Sequence, residues 1–160
     1  PGAPRTLAEL LAAVKASKKL ADVGTAYDAV FVAGGHGTMW DLPVSADVAT
    51  VLSKAWQQHK VVAAVCHGPA ALVNVKDEKG QPIVKGRRFT AFTNEEEAAV
   101  GLTKIVPFLL ESRLVELGGT FERAPMWQSH AVRDGKLVTG QNPASSRAVA
   151  EQVLTALREK

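Results

Sequence analysis

Apolar residues recur along the chain at two spacings, helical and strand-like, in alternation. Leu7, Leu10, Leu11 and Val14 fall at helical spacing, and Thr6 followed by Glu9 forms the capping-box pattern that opens a helix there. Val30-Phe31-Val32-Ala33 is a short apolar run that stops at Gly34-Gly35, which predicts a buried strand. Ser45 caps a second predicted helix whose Val48, Val51, Leu52 and Trp56 share one face. Val61-Val62-Ala63-Ala64-Val65 is a second buried-strand run. It ends at Cys66, and Gly68-Pro69-Ala70-Ala71-Leu72 begins a helix.

Asp77 to Arg88 is polar and turn-rich, with turns expected at Lys79-Gly80 and Lys85-Gly86. Ile83-Val84 and Phe89-Thr90-Ala91-Phe92 read as flanking strands. Helices are expected from Glu95 to Leu102 and from Ile105 to Leu117, with Pro107 near the start of the second and Gly118-Gly119 ending it. Val132, Asp134-Gly135 and Leu137-Val138 predict a hairpin. Asn142-Pro143 opens a last helix bearing Val149, Val153, Leu154 and Leu157. Strands alternating with helices predict an α/β fold, a mostly parallel sheet covered on both faces. Without repeats, linkers or low-complexity segments, residues 1–160 read as a single domain.

Composition narrows the function classes. The 160 residues are 46% hydrophobic and 22% charged, enough for a packed core without metals or disulfides. One cysteine forms no internal disulfide and no Cys-cluster zinc site. The net charge of +3 comes without a basic block, so no nucleic-acid surface is expected. No apolar run approaches a membrane span, and no signal-peptide pattern is present. A cytoplasmic location is expected. The chain opens Pro-Gly-Ala-Pro and runs into a helix where an α/β domain ordinarily begins with a core strand. The expectation is therefore that residues precede Pro1, on the same chain or as a separate N-terminal fragment.

Functional groups in such sheets collect at the carboxyl ends of strands. Two strand ends carry chemistry: Gly34-Gly35-His36-Gly37 and Cys66-His67-Gly68-Pro69. A buried strand, a Cys and a Gly-rich helix start make the layout of a nucleophile elbow. Peptide N–H groups at a helix start would lower the thiol pKa and could bind a developing oxyanion. The plainer reading makes Cys66 a small buried hydrophobe. His67 suits acid–base work or the capping of a turn. His36 has either a loop role or an exposed turn position. His130 is expected on an edge strand, and His59 at the surface near a helix end. A histidine base needs a carboxylate to orient it. Asn94-Glu95-Glu96-Glu97 offers three, which also suit the helix dipole, and the pattern leaves the choice open. No H-x-x-x-H or C-x-x-C spacing supports a metal site, and the glycine loop lacks a full phosphate-binding motif.

Four segments in order then carry a resemblance. These are Ala33-Gly34-Gly35-His36-Gly37 with Met39-Trp40-Asp41-Leu42; Ala64-Val65-Cys66-His67-Gly68-Pro69-Ala70; Phe92-Thr93-Asn94-Glu95-Glu96-Glu97; and Val138-Thr139-Gly140-Gln141-Asn142-Pro143-Ala144-Ser145-Ser146. From about Leu20 to the C-terminus the chain resembles the DJ-1/PfpI superfamily, in particular its heat-shock-protein-31-like, glyoxalase III branch. The resemblance implies a flavodoxin-like three-layer sandwich, of the class I glutamine amidotransferase-like type. It implies a lyase that converts methylglyoxal to lactate without glutathione, cofactor or metal. Cys66 matches the nucleophile, His67 the adjacent histidine and Glu97 the third member, with Glu95 and Glu96 as alternatives. Gly35 and the His67 amide match the oxyanion-binding positions, with His36 beside them. The family also has a glutamate near a first strand and helix that these residues do not contain. The chain is thus expected to be the C-terminal part of a longer domain, lacking its N-terminal strand. The expected partners are a small 2-oxoaldehyde and a second copy of the chain, with no nucleic acid or membrane. Alternatives within the superfamily are a stress-related holdase chaperone and a Cys-dependent hydrolase or deglycase. Redox sensing by Cys66 is a further role, compatible with catalysis.

Overall fold

A computed structural model describes residues 6–159. Helix α1 (Leu7–Lys15) opens on the expected capping box, the Thr6 hydroxyl accepting from the Glu9 N–H. Its Leu7, Leu10, Leu11 and Val14 are exposed. Strand β1 (Ala29–Val32) leads into the short helix α2 (Thr38–Asp41) and then α3 (Ala46–Gln57), capped by Ser45 as expected. Strand β2 (Val61–Val65) is buried along its whole length, and a 3-10 helix (Gly68–Asn74) follows. Next come β3 (Arg88–Phe89), α4 (Asn94–Ala99), α5 (Leu110–Glu116) and β4 (Thr120–Phe121). The hairpin β5 (Ala131–Asp134) and β6 (Leu137–Gly140) turns at Gly135, and α6 (Ser146–Arg158) completes the fold.

The main sheet runs β1-β2-β6-β5, parallel except for the β5–β6 pair. Alternation along β2 divides the core into two layers. Val61, Ala63 and Val65 pack with Val138 against Val149, Val153 and Ala156 of α6. Val62 faces the other way, toward Leu52 and Ala55 of α3, Leu72, Phe89, and Leu110 and Leu114 of α5. The result is the expected α/β three-layer sandwich. Among the described residues no helix is long and apolar enough to cross a membrane.

Several local expectations are revised. Among the described residues β1 lies at one end of the sheet order, and Phe31 is 43% exposed. Ile83 and Val84 are buried as their apolar character requires, but their backbone forms turns, with Lys85 N–H donating to Pro82 and Arg87 N–H to Val84. Of residues 89–92 only Phe89 lies in a ladder. The Thr90 N–H donates to the Thr139 hydroxyl (2.8 Å) and the Phe92 N–H to the Cys66 carbonyl (3.0 Å), so this segment closes the sheet's carboxyl end. The helix expected from Ile105 begins only at Leu110; residues 103–108 form turns and bends, with the Ile105 and Val106 N–H groups both donating to the Leu102 carbonyl. On α6, Leu154 is exposed and Ala156 takes the inward position.

One contact fixes how the two chemically loaded loops approach. A Cβ placed on Gly68 would lie 2.5 Å from the Val32 carbonyl oxygen and 3.0 Å from that of Ala33. Both are backbone atoms and cannot rotate away. Gly68→Ala is expected to lower the unfolding free energy by about 1–3 kcal/mol, read from urea denaturation. An unchanged midpoint would mean that the end of β1 moves freely.

Candidate active site

The site begins with a backbone turn. Cys66 has φ +62°, in the left-handed region that non-glycine residues rarely adopt. Its N–H donates to the Gly140 carbonyl of β6 (2.9 Å), and its carbonyl accepts from the Phe92 N–H (3.0 Å). Gripped from both sides, the chain reverses and presents the thiol at the carboxyl edge of the sheet. The loop after β1 closes over it. A Cβ on Gly34 would sit 2.6 Å from the Val65 carbonyl oxygen and 2.7 Å from Cys66 Cβ, so a side chain there would push the loops apart. Gly35, at φ +112°, turns the loop back, and the Thr38 hydroxyl lies within hydrogen-bonding reach of the Gly35 (2.7 Å) and His67 (3.1 Å) carbonyls.

The side chains then line up. Cys66 Sγ is 3.4 Å from His67 Nδ1, and His67 Nε2 is 2.7 Å from Glu97 Oε2. The other Glu97 oxygen, Oε1, is 3.0 Å from His36 Nε2. His67 is fully buried and Glu97 nearly so, while His36 is half-buried against the His67 ring. Helix α4 decides which carboxylate reaches His67. Its residues turn about 100° each, so neighbouring glutamates meet different surroundings. Glu95 is exposed, Glu96 folds back onto its own N-cap at Thr93, and Glu97 faces His67.

Burial sets the electrostatics. It pushes the Cys66 thiol above its ordinary pKa; the N–H groups of His67 and Gly35, aimed at the sulfur, pull the other way, and the charges of Glu96 and Glu97 add to the rise. The low thiol pKa expected from a helix start is thus revised: the following helix is a 3-10 segment, and burial outweighs the pull of the His67 and Gly35 N–H groups. Burial also holds His67 below the ordinary imidazole value, opposed by its hydrogen bond to Glu97 and assisted by His36. Thiol and imidazole therefore rest in their neutral forms near pH 7. His67 can take the proton when the sulfur attacks.

The thiol opens into a cavity of about 390 Å³. Gly34, Gly35, His36, Cys66 and Ser146 line it together with the apolar Val65, Phe92, Val100, Trp127 and Pro143. The expected site residues Cys66, His67, Glu97, Gly35 and His36 are thus brought together. His130 precedes β5 and is not part of the cavity lining, its N–H donating to Ser145, and His59 is exposed at the end of α3. The wall residues Val100 and Trp127 escaped the sequence reading: Val100 lies in the helix expected over 95–102, where an apolar residue reads as packing, and Trp127 lies in a segment without periodicity. His36, His67 and Glu97 also place three metal-donor atoms within 4.8 Å of one another, a convergence that no sequence spacing reveals. In the structure these atoms meet as hydrogen-bond partners.

With this geometry in view, the likeness to known proteins is consistent from end to end. Glyoxalase 3 of Candida albicans is 37% identical over 155 residues, covering 92% of this chain and 66% of that protein. The glutathione-independent glyoxalase HSP31 of Saccharomyces cerevisiae is 35% identical over 138 residues, covering 82% of this chain and 58% of that protein. The chain thus spans roughly two thirds or less of the length of these relatives. The X-ray structure of the Francisella tularensis Rapid Encystment Protein 24 kDa superposes with a TM-score of 0.85 at 45% identity, covering 88% of this chain and 63% of that one. Residues 12–156 match the DJ-1/PfpI family, and the chain belongs to that family.

Proposed function

We propose that this site converts a small 2-oxoaldehyde, methylglyoxal in the first instance, to the corresponding 2-hydroxy acid without glutathione. The observation that carries the reading is the Cys66–His67–Glu97 line, with contacts of 3.4 and 2.7 Å, opening into an apolar cavity. The glyoxalase names of the relatives support it.

Cys66 is the nucleophile. Its sulfur adds to the aldehyde carbon while the thiol proton passes to His67 Nδ1. The alkoxide that forms lies beside the His67 and Gly35 N–H groups, which face the sulfur. Protonation of the alkoxide gives a hemithioacetal. His67 then removes the proton from the former aldehyde carbon, and a proton is returned to the neighbouring carbon. One carbon is oxidised and the other reduced, so no external redox partner is needed. The product is a thioester of a 2-hydroxy acid. Water hydrolyses it, releasing the acid and restoring the thiol. Glu97 keeps the imidazole oriented and stabilises it whenever it carries a proton.

Three measurements test this. Lactate formed from methylglyoxal is expected to fall at least 10³-fold in Cys66→Ser, the scale of losing a covalent nucleophile; sustained turnover by that variant would remove Cys66 from the mechanism. Glu97→Gln is expected to lower kcat about 10²-fold by loosening the His67 ring, with little change in KM. The pH dependence follows from the direction of the shifts. His67 is depressed, so its neutral, basic form persists down to pH values below about 6.5, and turnover falls only under that point. Cys66 is raised above the ordinary thiol value of 9.0, so its alkylation by iodoacetamide climbs only at pH values above that point. With one cysteine in the chain, the intact mass reports that site alone. A midpoint near neutrality would replace the neutral pair with a thiolate–imidazolium pair.

A further inference from the structure

The reaction consumes only the two carbonyl carbons of its substrate, and the rest of the cavity is left for the substituent they carry. Most of the side chains lining the cavity beyond the thiol and His36 are apolar, and Trp127 is one of them. The Trp127 ring lies 5.7 Å from that of Phe92, which in turn lies 4.3 Å from the ring of His67. Trp127 is 47% exposed and sits at φ +66°, a strained position for a bulky residue. Something must hold it there.

Glu96 supplies the hold. It is fully buried. Its Oε1 accepts from the Trp127 backbone N–H (2.9 Å), from Asn142 Nδ2 (2.8 Å) and from Gln141 Nε2 (3.2 Å). Its Oε2 accepts from the Thr93 N–H and hydroxyl, both at 3.1 Å. Burial alone would push this carboxyl up; the bonds from Trp127, Asn142, Thr93 and Gln141 together hold it below the ordinary range. Asn142 Nδ2 also donates to the Gln128 carbonyl (2.9 Å), and the Gln141 amide exchanges two bonds with the Ala124 backbone. The segment around Trp127 is thus tied at both ends to the carboxylate next to Glu97 in sequence.

We propose that Trp127 is a specificity-determining residue, held over the cavity by Glu96 as a positioning residue, and that it favours 2-oxoaldehydes with an apolar substituent. The substrate class rests on the glyoxalase reading, whereas the apolar wall does not. Trp127 and Phe92 are in contact with each other, their ring centroids 5.7 Å apart, and together they line the cavity; a phenyl substituent would pack against this joint aromatic surface, and a methyl group would cover little of it.

The test separates the two layers. Steady-state kinetics with methylglyoxal and phenylglyoxal are compared in wild type, Trp127→Ala, Trp127→Phe and Glu96→Gln. In parallel, Cys66 is alkylated with iodoacetamide and with N-benzyl iodoacetamide, and the ratio of rates is taken. Trp127→Ala is expected to raise KM for phenylglyoxal about tenfold relative to methylglyoxal, the size of one aromatic contact, with kcat little changed. The benzyl reagent's advantage should shrink in step, and Trp127→Phe should restore most of both. Glu96→Gln turns an N–H toward the Thr93 N–H and should shift both ratios the same way; if it fails to fold, the two Trp127 variants still decide. Ratios equal in wild type and Trp127→Ala overturn the proposal. Wild type that yields neither lactate nor mandelate, yet shows a benzyl preference lost in Trp127→Ala, overturns the glyoxalase reading and upholds the wall.

Discussion

The left-handed turn at Cys66 is the constraint on which the site depends. Such a conformation costs a non-glycine residue about 1–3 kcal/mol, and it persists because backbone bonds from Gly140 and Phe92 hold it on either side. It throws the thiol out of a wholly buried strand and places His67 directly behind it. It also brings the chain so close to the loop after β1 that only glycine fits at positions 34 and 68. The three parallel strands β1, β2 and β6 are thereby fastened at the end where chemistry occurs. The parallel sheet and its two packed layers act as the rigid base that absorbs this strain.

Two adjacent glutamates on one short helix divide the polar work. Each is buried, and an isolated buried carboxylate would be strongly disfavoured. Glu97 is compensated by two histidine rings, Glu96 by five donors from three segments. One residue's turn of helix therefore connects proton chemistry with cavity shape. A change at either position would be felt by the other through the helix that carries both.

The neutral resting pair follows from the same burial. Burial raises the thiol and lowers the imidazole, and it also strengthens any hydrogen bond formed to charge that develops during reaction. The Gly35 and His67 amides are in place before substrate arrives, fixed by the loops rather than by the ligand. The mixture of polar and apolar groups lining one cavity suits a small electrophile with a carbonyl head and an apolar tail.

Much of this was legible in the residues themselves. The capping box at Thr6, the Ser45 cap, the buried run ending at Cys66 and the hairpin at Gly135 are local patterns, and local physics sets them. The likeness of four ordered motifs to a known family carried Cys66, His67 and Glu97 as expectations. Elsewhere local pattern was insufficient. Residues 83–84 and 89–92 are apolar enough for strands, but their backbone groups find turn and sheet-end partners distant in sequence. The choice among three consecutive glutamates depends on which neighbours surround α4. The thiol pKa depends on how much protein covers the sulfur, and the Trp127 wall on a carboxylate 31 residues away. Sequence by itself determined which segments form elements and which groups can react, because capping, periodicity and side-chain chemistry act over a few residues. Only the tertiary structure decided burial, the partner of each carboxylate and the shape of the cavity, because those arise where distant segments meet.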